Sequence, residues 1–171
     1  VKSLLLFSSA ILLLAGCSAK YNTNNIQKNT ELLIKDTPVV IAKPADGVYE
    51  THSYAGSGNA TAAAVKAAFL RYSDNVSIFA NCEDTACLKS NHPISSGYYV
   101  IPQILHWEDR ATEWSGIPDK IEVKITVYNA ESNVRVASTI INGKSKWATF
   151  GGDHPQDLLP EPVNAYISSL Y

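Results

Sequence analysis

Between Lys120 and Tyr128, Ile121, Val123, Ile125 and Val127 alternate with Lys120, Glu122, Lys124 and Thr126. A side-chain period of two sends the first set to one face of a pleated strand and the second to the other. The segment therefore predicts a strand with one buried and one wet side. Ala130–Asn133 supplies a turn and Val134–Ile141 the partner strand. A lone hairpin is marginal in water, so its apolar face must lie against the rest of the chain.

Candidate cover is present on both sides of it in sequence. Val39-Val40-Ile41-Ala42, between Pro38 and Pro44, reads as a buried strand. Ala62, Val65, Phe69 and Tyr72 fall near helical spacing in an Ala-rich stretch. Val76–Phe79 reads as a second strand and Thr85–Ser90 as a short helix. Tyr98–Trp107 is apolar on both faces, as a central strand should be, with Pro102 suggesting a bulge. Asn142-Gly143 reads as a turn. Val163, Tyr166, Ile167 and Leu170 share one face of a closing helix opened by Pro160 or Pro162. The order strand–helix–strand–helix–strand–strand–strand–helix predicts an α/β fold. Its mixed sheet, of four to five strands, would be parallel early, antiparallel late and covered by helices.

Composition sets the outer bounds. With 46% hydrophobic residues the chain is not mostly disordered. A net charge of −2, spread along the chain, excludes the basic face that nucleic acid requires. No apolar run reaches the roughly 18 residues of a bilayer-spanning helix.

The amino-terminal stretch is read as a targeting signal. Lys2 gives a positive start, Leu4–Leu14 a short apolar core, and Leu14-Ala15-Gly16-Cys17 follows. This pattern resembles the lipobox of bacterial lipoproteins. The resemblance implies removal of residues 1–16, diacylglyceryl and further acyl (palmitate-type) chains on Cys17, and membrane attachment through that lipid. Ser18, where an Asp would resemble an inner-membrane retention signal, implies the outer membrane, facing the periplasm. Residues 17–36 read as the lipidated Cys and a polar tether with an ordered piece at Glu31–Ile34. Extended, such a tether reaches roughly 60 Å. Residues 37–171 are then a single α/β domain.

Two further resemblances concern that domain. Its topology is similar to that of the curli-secretion lipoprotein, the lipoprotein activators of penicillin-binding proteins and the amino-terminal domain of TolB. Several stretches also resemble an uncharacterised family of bacterial lipoproteins, catalogued as a domain of unknown function. They are His106-Trp107-Glu108-Asp109-Arg110-Ala111-Thr112-Glu113-Trp114-Ser115-Gly116, Lys144–Pro155, Asp46-Gly47-Val48-Tyr49 and Gly56-Ser57-Gly58. This likeness implies a cellular address and no activity, so it brings no catalytic residue.

Cys82 and Cys87 remain once Cys17 is lipidated, and an oxidising compartment favours their pairing. On one regular helix their Cα atoms would sit about 8–9 Å apart, beyond bridging range. Cys82 is therefore expected before the short helix and Cys87 in its first turn, with Asp84 or Thr85 as the cap. Neither the spacing nor the surroundings suggest a redox or metal pair.

Other constellations have plainer readings. Gly56-Ser57-Gly58 lacks the third glycine of a dinucleotide loop and any following Gly-Lys-Ser/Thr, so a turn delivering a Ser or Asn helix cap suffices. His106, Glu108, Asp109, Glu113, Asp153 and His154 show no metal-ligand spacing. Glu108 and Glu113 could act as a glycosidase pair only if held about 5–9 Å apart. A loop locked by an Arg110–carboxylate pair explains the same residues. Asp153-His154-Pro155 reads as a helix-opening cap. Trp107, Trp114 and Trp147 are all the Trp in the chain, and each lies beside charged residues. Trp with Arg suits a protein interface, and Trp with carboxylates suits a sugar-stacking groove.

The sequence thus predicts a non-enzymatic envelope lipoprotein without cofactor or metal, binding a partner protein. Its candidate surface is Trp107, Glu108, Asp109, Arg110, Glu113, Trp114, Trp147, Asp153 and His154. The alternative is a peptidoglycan or glycan module using the Trp107/Trp114 loop, with a glycan hydrolase as the third reading.

Overall fold

A computed structural model describes residues 19–110, 117–146 and 154–171. Cys17, Glu113, Trp114, Trp147 and Asp153 lie outside the described residues.

The described chain runs β1 (Lys20–Gln27), β2 (Val39–Ala42), β3 (Val48–Tyr49), β4 (His52–Ser53), α1 (Ser57–Phe69), β5 (Val76–Phe79), α2 (Thr85–Asn91), β6 (Tyr98–Glu108), β7 (Lys120–Asn129), β8 (Arg135–Lys144), a 3-10 turn (Pro155–Leu158) and α3 (Pro160–Ser168). Six strands form one sheet in the order β1-β8-β7-β6-β2-β5, and β3 and β4 form a small separate hairpin. β2 is parallel to both β5 and β6. From β6 through β7 and β8 to β1 the pairing is antiparallel. The fold is mixed α/β, as expected.

Burial follows the sequence pattern. All four residues of β2 are buried, which a strand flanked on both edges and covered on both faces requires. On one face Val65 and Phe69 of α1 and Val163 and Ile167 of α3 join Val123, Ile125 and Ile141 in the main core. On the other, Leu88 of α2 packs with Val40, Ala42, Tyr99 and Ile101. The alternating residues of β7 divide as expected, except that Thr126 is also buried, its hydroxyl 3.1 Å from Ser138 Oγ.

The tether reading needs correction, because eight of its residues are β1, paired with β8 from Lys20↔Lys144 onward. Only Tyr21 and Gln27 in this strand are even half-buried. Its backbone ladder holds it at the sheet edge, so it carries no apolar period. The sheet has six strands instead of four or five for this reason. Within the expected ordered piece, Leu33 is buried and its N–H donates to the Leu170 carbonyl at 2.7 Å.

Asn142-Gly143 is also not a turn, since β8 continues to Lys144. A Cβ on Gly143 would lie 2.9 Å from Ile121 Cγ1 and 3.2 Å from Leu158 Cβ, so the glycine lets the 3-10 turn settle on the sheet. Neither Ser57 nor Asn59 caps α1. The Asp46 carboxylate, from the β2–β3 loop, accepts from the N–H groups of Gly58 (2.8 Å) and Gly56 (3.2 Å). Ser57 Oγ instead accepts from Gly47 N–H and donates to the Tyr54 carbonyl. A Cβ on Gly58 would stand 2.3 Å from the Pro44 carbonyl oxygen, so only glycine permits this close crossing.

Cys82 and Cys87 are bridged, with Cα atoms 5.4 Å apart. Cys82 precedes α2 and Cys87 lies in its first turn, where Asp84 Oδ1 accepts from Cys87 N–H at 2.7 Å.

Candidate functional site

The chemistry-bearing residues gather where β6 ends, and a β-bulge decides where each one points. The β6–β7 register slips between Ile104 and His106, three residues beyond the proline where the bulge was expected. Pro102 itself sits opposite Ile125 where β2 no longer flanks β6, so its missing N–H costs no ladder bond on that side. One inserted residue, Leu105, reverses the alternation for the rest of the strand. Trp107 consequently falls on the core face, and His106 and Glu108 fall on the opposite one.

Trp107 is 3% exposed and belongs to the main core. Gly47 lies so close that a Cβ there would stand 2.6 Å from Trp107 Cβ. The indole, packed in the core, therefore leaves little surface for stacking on a sugar or partner.

Glu108 is the most deeply buried charged residue described, at 1% exposure. Arg110 Nη2 meets its Oε1, and Lys120 Nζ and His106 Nε2 each lie 3.2 Å from Oε2. The guanidinium carbon of Arg110 sits 5.9 Å over the Tyr49 ring, which meets the His106 ring edge-on at 4.9 Å. The Arg110–carboxylate lock expected from sequence is therefore formed within β6 and its first following residues.

Asp119, which the sequence reading did not single out, completes this frame. Its carboxylate accepts from Arg110 N–H at 2.6 Å, and its own N–H donates to Ser145 Oγ at 2.9 Å. It thereby joins the ends of β6, β7 and β8. No spacing marks it; only its place just before the alternating strand could have.

Asp109 faces different surroundings. Its Oδ2 lies 3.9 Å from His154 Nδ1, so two segments far apart in sequence do meet. His154 opens the 3-10 turn, its N–H donating to Asp157 Oδ2 at 2.9 Å, with Pro155 following. Beside them a cleft of about 660 Å³ is bounded by His52, Tyr54, Ser57, Asp109, His154 and Gln156, with the little of Trp107 that stays exposed also on its wall. Asp109 Oδ1 is buried without a hydrogen-bond partner among the described residues. Among the described residues no three His, Cys, Asp or Glu side chains are grouped to hold a metal ion.

Residues 31–170 match the family described as "Domain of unknown function (DUF4823)". The chain belongs to this family. No curated protein matches this DUF4823 chain in sequence. Among solved structures it is similar to the PelC dodecamer from Paraburkholderia phytofirmans, at 12% identity and a TM-score of 0.63, covering 89% of this chain and 96% of that one. It is also similar to a DUF330 protein from Xanthomonas campestris, at 12% identity and a TM-score of 0.50, covering 85% and 90%. A fainter likeness, with a TM-score of 0.39 at 12% identity, is to lipoprotein GNA1162 from Neisseria meningitidis, covering 77% and 96%. At such identity the first two establish that the DUF4823 domain shares their fold.

Proposed function

We propose that this DUF4823 chain is a non-enzymatic envelope protein. Lipid on Cys17 holds it to the outer membrane, facing the periplasm, and its domain binds a partner protein in envelope assembly or maintenance. One observation carries the non-enzymatic part. Glu108, one of the two carboxylates the sequence offers for acid–base chemistry, is 1% exposed and engaged by Arg110, Lys120 and His106. A carboxylate so enclosed serves as a brace, and a reagent would need an open oxygen.

Two further features support the reading. No helix among the described residues is long and apolar enough to cross a membrane, and the lipobox supplies another route of attachment. The fold is shared with PelC, solved as a dodecamer, which supports function through protein–protein contact, copies of this chain included. Affinity capture from crosslinked envelopes tests it. The wild-type chain should recover a specific protein, itself or another, that a mislocalised Cys17→Ala chain does not. Equal recovery by both would overturn the reading.

A glycan-binding reading keeps one observation in its favour: the cleft beside Asp109 and His154, with a buried Asp109 oxygen that a sugar hydroxyl could donate to. Trp107 borders this cleft but is 3% exposed, so ring stacking would fall mainly to Trp114. Sedimentation with purified sacculi separates the two readings, and loss of binding in Trp114→Ala would favour this one. A hydrolase using Glu113 would have to turn over muropeptides and lose that activity in Glu113→Gln.

A further inference from the structure

The correction to the tether has a consequence for the membrane. β1 begins at Lys20, the third residue after Cys17. Three residues span at most about 11 Å. A domain on so short a leash lies against the leaflet that holds its lipid, and the end of the sheet at Lys20 is the end held there.

That end is unusual in charge. Lys20 pairs with Lys144, and Lys144 pairs with Lys120, so three lysines form one row across β1, β8 and β7. Directly opposed like charges on neighbouring strands oppose sheet formation. Lys120 is relieved by Glu108 at 3.2 Å, while Lys20 and Lys144 are exposed and make no ion pair among the described residues. The row lies on the face opposite α1 and α3. There it borders an open groove of about 450 Å³ with Asn22, His106 and Glu122, so that beyond the Lys120–Glu108 pair two ammonium groups face one carboxylate. This is local, because the whole chain is mildly acidic.

We propose that the Lys20–Lys144–Lys120 row is a docking surface for the anionic phosphate headgroups of the bilayer beside the Cys17 anchor. The proposal rests on the lipid-anchor reading for its placement. The occupant follows from complementary charge and from the length of chain between Cys17 and Lys20. Each lysine held at an anionic surface strengthens attraction about fivefold, an effect that salt screens.

The test uses the processed protein purified from membranes and placed on vesicles of phosphatidylcholine, with or without phosphatidylglycerol. Lysines are modified with a water-soluble amine reagent and quantified peptide by peptide. Phosphatidylglycerol should lower modification of Lys20 and Lys144 about fivefold or more, with exposure restored at high salt. Lys35 and Lys66 elsewhere on the domain should not change. Lys20→Gln/Lys144→Gln, which breaks no ion pair, should abolish any protection that phosphatidylglycerol gives Lys120. Equal modification on both vesicle types would overturn the proposal. So would equal protection by inorganic phosphate in detergent, which would assign the row to a soluble ligand. The mass of the Cys17 peptide reads the anchor separately. An unmodified Cys17 with protected lysines would sink the anchor reading and leave the row, whereas acylated Cys17 with unprotected lysines would sink the row alone.

Discussion

Glu108 is the sharpest place to perturb this domain. Glu108→Gln keeps the shape and removes the charge that Arg110, Lys120 and His106 share. Breaking a fully buried ion pair costs about 3–5 kcal/mol, because the surviving charge is stranded without water. Here the survivors are not stranded: the side chains of His106, Arg110 and Lys120 are 31%, 37% and 45% exposed. Each can rehydrate, so each lost contact is worth nearer the 0.2–1 kcal/mol of an exposed pair. Three such contacts, plus imperfect hydrogen bonding of the new amide, give a loss of about 2 kcal/mol. For a domain of this size that lowers Tm by about 4–8 °C.

The same geometry predicts an order among variants. Lys120→Gln removes one of the three partners and should cost less than about 1 kcal/mol. Glu108→Gln should therefore exceed it clearly, and the two effects should be less than additive because they share a contact. Urea unfolding of both single variants and the double variant measures all three numbers. If Lys120→Gln were as damaging as Glu108→Gln, or Glu108→Gln cost less than about 0.5 kcal/mol, the carboxylate would not be a shared brace.

Reducing the Cys82–Cys87 bridge reopens a six-residue loop (CEDTAC) and should cost about 2 kcal/mol of loop-closure entropy, read from urea midpoints with and without reductant. Alkylation of both thiols in native, unreduced protein would contradict the bridge. Gly58→Ala drives a methyl to 2.3 Å from the Pro44 carbonyl and should destabilise by about 2 kcal/mol or more, whereas Gly56→Ala meets no atom and should suffer only from its positive φ of 90°. The Gly58 N–H, and to a lesser extent the Gly56 N–H, hold the Asp46 carboxyl below its ordinary value of 3.8, while partial burial opposes them. Its cap is therefore fully present above that value and is lost as pH falls through the lowered one. Asp46→Ala should cost about 1 kcal/mol at neutral pH, and the gap to wild type should close in strong acid; a gap that widens in acid would reverse the assignment.

How far the sequence could be read depended on whether a residue's role leaves a periodic trace. β7 is half-wet and β2 is buried on both faces, so alternation and a continuous apolar run announce them. The bridge was legible because helical geometry forbids it at that spacing unless the helix starts between the two cysteines. The bulge at Leu105 was not, because an inserted residue in an apolar strand leaves the composition unchanged while reversing every later side chain. That reversal turned Trp107 from a candidate contact into core and Glu108 from a candidate reagent into a brace. Asn142-Gly143 misled for a related reason: the glycine is there for the room it leaves to Ile121 and Leu158, and its turn propensity goes unused.

β1 shows the same principle at its limit, and it matters most for function. An edge strand that is mostly exposed needs no apolar period, since its main hold on the sheet is the backbone ladder to β8, with Tyr21 alone packed against the core. Asn-rich sequence that cannot make a core can still complete one edge, and composition alone cannot tell such a strand from a linker. The physical difference between the two is large. A polar linker would let the domain search tens of ångströms of periplasm for its partner. Under the proposed lipid anchor, a strand starting three residues after Cys17 would hold the domain at the leaflet, with Lys20, Lys144 and Lys120 at the anchored end of the sheet. On that reading the proposed partner would be met at the membrane surface.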